Sequence, residues 1–276
     1  LVAHDGSTLT DLCCYAGQGN KYNKNLQWPF GPSDGGVTDW NTLNYGAAAP
    51  ELPNDLRKRA PRPSERRQTA RNYFAVQMMS RGTPMIVWGD ELCRTQNGNN
   101  NPYNIDSVAT WNNYNMIDTD SPHAVATGGI GVAYNDMFGT FRRNENNRKQ
   151  NGNFIFAQYM MNLRKAEKAL HQTNYNVSYD FKKEDGVANL NTTSDRAMWV
   201  RINGSKAGGH DYLMFMNMWI LKIEFNIPAD KTWKRIVDTD KWAEKDFNNC
   251  WAFENAEVCT NSYGVNPWSV VILQAE

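Results

Sequence analysis

The 276-residue sequence lacks most of the features that would commit a chain to a simple class. Its charges cancel, with 29 Lys and Arg against 29 Asp and Glu and only four His. Nothing in that balance steers it to nucleic acid or to an anionic membrane surface. No stretch approaches the roughly 20 continuous apolar residues that a membrane helix needs. Neither a nucleic acid nor a membrane is therefore an expected partner. The five cysteines include no C-x-x-C pair and join no His cluster, which argues against structural zinc, so no metal and no cofactor is expected. Cys13 and Cys14 are adjacent and Cys93 is isolated. Only Cys250 and Cys259 are spaced for a local disulfide, and such a pair would suit an oxidising compartment. The Gly-x-Gly of ATGGIGVAY lacks the strand–turn–helix context of a nucleotide fingerprint. The N-terminus has neither initiator Met nor signal-peptide pattern, and a chain opening inside a strand reads as a piece of something longer. No compartment follows from it.

Apolar residues make up 41% of the chain, enough for a real core, and 10 Trp, 12 Tyr and 11 Phe stand beside many Asn. Aromatic faces stack on the apolar faces of sugar rings, while Asn, Asp and Arg match sugar hydroxyls. The composition hints at a carbohydrate partner. The opening LVAHDG reads as the tail of a buried strand with a titratable pair, His4 and Asp5, at its carboxyl end. Such a pair suits a site at the strand ends of an α/β protein, and an Asp-Gly turn beside a surface His is the plain alternative.

From Gly17 to Pro63 the chain is mostly loop, with Trp28, Phe30 and Trp40 as sugar platforms or packing anchors. The run SERRQTARNYFAVQMMSRG predicts a helix capped by Ser64. Its apolar face holds Ala70, Tyr73, Phe74 and Met78, and Gly82 closes it. MIVW then reads as a strand buried on both faces, ending in Gly89, Asp90 and Glu91. An Asn-rich loop follows, and a second helix spans about Asn153 to Leu170, with Phe156, Tyr159, Met160, Leu163 and Leu170 on its buried side. Strand, loop, helix, strand and loop, with acidic residues at both strand exits, is the rhythm of a (β/α) barrel. Beyond His171 the period changes to short β-branched and aromatic runs: AMWVRI, DYLMFMNM, LKIEFNI, KRIVDT and WSVVILQ. In LKIEFNI, Leu221, Ile223, Phe225 and Ile227 share one face, the pattern of antiparallel strands with one wet side. A domain boundary is placed near residue 172, giving residues 1–171 and an all-β domain over 172–276.

AHDG-TL-DL, QWPFGPSDGG and GTPM---GDEL-RTQ-GNNN-Y together resemble the isoamylase-type debranching enzymes of the α-amylase clan. LRKAEKAL resembles the last barrel helix of that family, and NPWSVVIL its closing β-strand, so the resemblance runs the length of the chain. It implies an α/β plus all-β fold: the C-terminal portion of a (β/α)8 barrel, strands 7 and 8 with their helices, followed by an antiparallel β-sandwich. It also implies hydrolysis of α-1,6 branch linkages in glycogen and amylopectin. Aligned so, LVAHDG is the seventh barrel strand and MIVWGDE the eighth.

In that alignment His4 holds a sugar hydroxyl next to the cleaved bond. Asp5 is the third carboxylate of the site, gripping the ring more strongly as it flattens towards an oxocarbenium ion. The nucleophile and the general acid would lie on strands four and five, upstream of this chain. The missing N-terminal part of the barrel is thus the partner expected besides a branched α-glucan. Arg94, Asn99, Asn100, Asn101 and Tyr103 follow the eighth strand on the face where barrel sites form, so they are candidates for lining the glucan cleft; an Asn-rich loop satisfying its own backbone is the alternative. Asp90 and Glu91 are expected to hold the strand end and Arg94 rather than to touch sugar. Two departures stand out: Ser7 where the family usually has an aromatic residue, and residues 118–152, which look longer than the matching loop. The rival readings are a non-catalytic glucan-binding or regulatory subunit and a related transglycosylase.

Overall fold

A computed structural model describes residues 8–14, 63–94, 149–171, 176–187, 194–247 and 249–276, together with the short strand 141–143 and isolated residues between. The chain divides into two compact units: Leu1–Ala70 with Met85–Ile155, and Arg71–Pro84 with Phe156–Glu276.

In the first unit, helix α1 spans Leu9–Cys14 and helix α2 opens at Pro63, running to Met79. Proline at the first helical position has its φ preset and no amide to leave unpaired, which starts the helix one residue before the expected cap Ser64. Ser64 instead donates its hydroxyl to Glu65. A short 3-10 turn spans Asp90–Leu92, and strands β1 (Phe141–Arg143) and β2 (Lys149–Asn151) form an antiparallel pair. Helix α3 covers Gly152–Ala166. The expectation for MIVW is corrected: residues 85–88 form no strand. Met85 and Trp88 are 63% and 68% exposed. A parallel strand's apolar run is buried on both faces, and these exposed ends are not.

The second unit is built on a six-stranded antiparallel sheet. Its strands are β3 (Tyr179–Lys182), β4 (Ala197–Ile202), β5 (Tyr212–Asn217), β7 (Trp233–Asp238), β8 (Glu257–Cys259) and β10 (Ser269–Ala275), in the order β3-β4-β5-β10-β7-β8. A separate ladder pairs β6 (Ile223–Asn226) with β9 (Ser262–Val265). The period-2 alternation does what the pattern requires. Trp199, Phe215, Trp233 and Leu273 form one apolar cluster with Phe225 and Val265 of the small ladder. Phe215 and Phe225 stack with ring centres 4.9 Å apart. Leu221 departs from the expected face and is largely exposed, because it precedes the first paired residue of β6.

The part of α2 in this unit lays Val76 and Met79 beside Met214 and Val200 of the sheet. Its end is held by Arg164 of α3, whose guanidinium donates to the carbonyls of Met78, Ser80 and Gly82. Those are acceptors that a helix C-terminus leaves unpaired. Asn217, buried, donates to the carbonyls of Leu221 and Val265, tying the loop after β5 to the end of β9.

The two cysteines spaced for a local disulfide, Cys250 and Cys259, are both free. The register explains it. Cys250 bridges Val237 and Cys259 pairs with Trp233, four residues apart on one strand. Four residues of strand span about 13 Å, whereas bridged cysteines need Cα atoms within about 7 Å.

Candidate functional site

His4, Asp5, Asn99, Asn100, Asn101 and Tyr103 lie outside the described residues, as do Trp28, Phe30 and Trp40. Arg94, Asp90 and Glu91 are within them and show how the turn after MIVW is built.

Gly89 has φ +97°, and a Cβ there would overlap the Asn112 amide oxygen and the Arg94 stem, so only glycine fits. The chain then winds through Asp90–Leu92 and leaves at Cys93 with φ +62°, a left-handed conformation uncommon for a side-chain-bearing residue. Four contacts hold this turn, two of them from the start of α3. Asp90, buried, accepts the backbone amide of Leu9 at 2.8 Å, at the start of the helix that follows the His-Asp pair in sequence. Glu91 accepts the amide of Gly89 at 3.1 Å. Asn151 caps α3, its side-chain oxygen accepting the amides of Asn153 and Phe154, each at 3.1 Å. The same buried Asn151 aims its amide at Leu92 O (3.4 Å), and Asn153 reaches Cys93 Sγ at 3.4 Å.

Asp90 and Glu91 are therefore spent on backbone amides, not presented as a catalytic pair. The expectation is an ion-pair network holding Arg94; the bonds described for the two carboxylates run to amides of the flanking chain. Arg94 packs its stem over Gly89. The clamp by Asn151 was missed in the sequence. Asn-Gly immediately ahead of the apolar helix period was the available signal, since Asn is a preferred cap.

Asp211, buried, is paired with Lys231 at 2.8 Å and accepts the amide of Ser205 at 2.8 Å. Burial pushes its carboxyl up, but those bonds outweigh burial and hold it at about 2. Burial likewise pushes the Cys250 and Cys259 thiols up, to about 12 and about 11.

By structure this is a mixed helix and antiparallel-sheet protein. No family model matches the chain. Along its sequence it is 31% identical to an isoamylase of Flavobacterium sp over 291 aligned positions, covering all of this chain and 32% of that enzyme. It is 29% identical to the isoamylase of Pseudomonas amyloderamosa over 258 positions, covering 88% of this chain and 27% of the relative. The chain thus spans about a third of the length of these relatives. A type I pullulanase from Bacillus subtilis, solved with maltose, is similar over 81% of this chain and 26% of its own, with 15% identity and a TM-score of 0.49. By sequence the chain is similar along its full length to isoamylases.

Proposed function

We propose that the complete protein hydrolyses α-1,6 branch linkages of glycogen- or amylopectin-like glucans with retention. In this reading the chain supplies the last two strands of a (β/α)8 barrel, within residues 1–171, and a β-sandwich over 172–276. The observation that carries it is the collinear match of all 276 residues to an isoamylase. The hydrogen bond from Leu9 to Asp90 supports it further. It joins the segments just beyond the two supposed strands, as adjacent strands of one barrel require.

The chemistry follows from a retaining mechanism, which needs a nucleophile and an acid–base carboxylate about 5 Å apart. Both are assigned to the part of the protein upstream of Leu1. Asp5 contributes a third negative charge where the sugar ring becomes cationic, and His4 holds a hydroxyl of the same sugar. Arg94, Asn99, Asn100, Asn101 and Tyr103 line the cleft at the end of the eighth strand. The test is release of linear chains from amylopectin by the complete protein. Hydrolysis of branched but not linear α-glucan supports the reading. Binding without hydrolysis would mean the non-catalytic subunit, and chain transfer instead of hydrolysis the transglycosylase.

A further inference from the structure

Trp242 stands out among the exposed aromatic side chains because it is both open and fixed. It is 47% exposed. Yet its indole Nε1 donates to Asp238 at 3.2 Å, and its main-chain amide donates to Asp240 at 2.9 Å. The Arg235 guanidinium lies 5.1 Å from its ring centre and 4.4 Å from that of Trp251, and the two indoles stack at 6.2 Å with 26° between their planes. Arg235 is in turn locked by Tyr263, to whose hydroxyl it donates at 2.8 Å, and by Glu257 at 2.9 Å. Tyr263 closes the network by donating to Asp238 at 3.0 Å.

Packing alone does not call for so much exposed indole in so rigid a frame. A ring whose rotamer is already fixed loses little entropy on binding, which is the property of a recognition platform. Its only polar atom is already paired, so what it offers a ligand is a π-face. That face is electron-rich and attracts the weakly positive C–H groups on the flat side of a pyranose ring. Glu257, 63% exposed on its side chain, sits across Arg235 as an acceptor for sugar hydroxyls. An aliphatic or lipid partner would find charge on this rim where it needs apolar surface.

We infer that Trp242, with Trp251 and Glu257, is a carbohydrate-binding platform on the sheet unit that takes a short linear α-glucan segment. The choice of glucan rests on the proposed function; the platform rests on the geometry. Such a site would hold a branch or backbone chain of the polymer while another part of it is processed.

The test is oxidative footprinting of the 276-residue chain with N-bromosuccinimide, with and without maltoheptaose, read residue by residue by mass spectrometry. At saturating maltoheptaose, oxidation of Trp242 should slow about tenfold, while Trp219, exposed elsewhere on the unit, changes less than twofold. Stacking on one ring supports affinities around the millimolar end of recognition, so the titration must reach about 10 mM. Unchanged oxidation of Trp242, protection of Trp219 to the same degree, or equal protection by sucrose would overturn the inference. Trp242→Ala should also weaken maltoheptaose binding at least tenfold by calorimetry; if that variant does not fold, the footprint on the unaltered chain decides. The readout is binding, not hydrolysis, so a failure here is distinguishable from a failure of branch hydrolysis by the complete protein.

Discussion

The backbone amide of Leu9 donates to Asp90 Oδ1 at 2.8 Å, across 81 residues of sequence. The bond is buried, so losing its acceptor would leave an amide unsatisfied in the interior. It ties the helix that follows the His4–Asp5 pair to the turn that follows MIVW. The Gly-Asp-Glu sequence is thus a clamp on the chain leaving the other supposed strand.

Asp90→Ala should therefore destabilise the chain by roughly 2–3 kcal/mol, since it leaves a buried amide without an acceptor. Asp90→Asn keeps an acceptor oxygen and should cost about half as much. Urea unfolding of the three proteins checks this; an Asp90→Ala midpoint equal to the parent's would remove the clamp from the account.

Cys250 and Cys259 should stay unbridged even under oxidising conditions, because their partners on β7 are four residues apart. With both thiols pushed up by burial, alkylation at pH 8 should be slow until the chain is unfolded. Mass spectrometry after oxidation and proteolysis is the check, and a Cys250–Cys259 peptide would contradict the register.

Stability should depend on pH through Asp211. Its folded-state carboxyl sits near 2, below the ordinary value of about 3.9. The stabilisation from its bonds to Lys231 and Ser205 is full above about pH 4 and is lost as pH falls towards 2. Asp211→Asn should unfold at lower urea than the parent at pH 7, with the gap shrinking as the pH approaches 2. A gap constant from pH 7 to pH 2.5 would show that the carboxylate's charge does not matter.

What the sequence made legible was set by period. Alternation in AMWVRI, DYLMFMNM and WSVVILQ placed β4, β5 and β10, and the 3.6-residue repeat placed both long helices to within two residues at their starts. The small sheet was legible at Phe225 and Ile227 but not at Leu221, because alternation does not reveal where pairing begins. MIVW misled because a four-residue apolar run does not by itself distinguish a strand from irregular chain, and Met85 and Trp88 at its ends are exposed. Spacing left the pairing of Cys250 and Cys259 open, because it says nothing of register. Asp5 and His4 could be read only by resemblance, since a His-Asp-Gly at a strand exit is otherwise an ordinary turn.

The central claim is that Asp5 stabilises the transition state of branch hydrolysis. In the complete protein, Asp5→Ala should leave the unfolding midpoint nearly unchanged and lower kcat/KM on an α-1,6-branched glucan at least about a hundredfold, roughly 2.7 kcal/mol of transition-state stabilisation. A well-folded Asp5→Ala protein turning over that substrate at close to the parent rate would contradict the account.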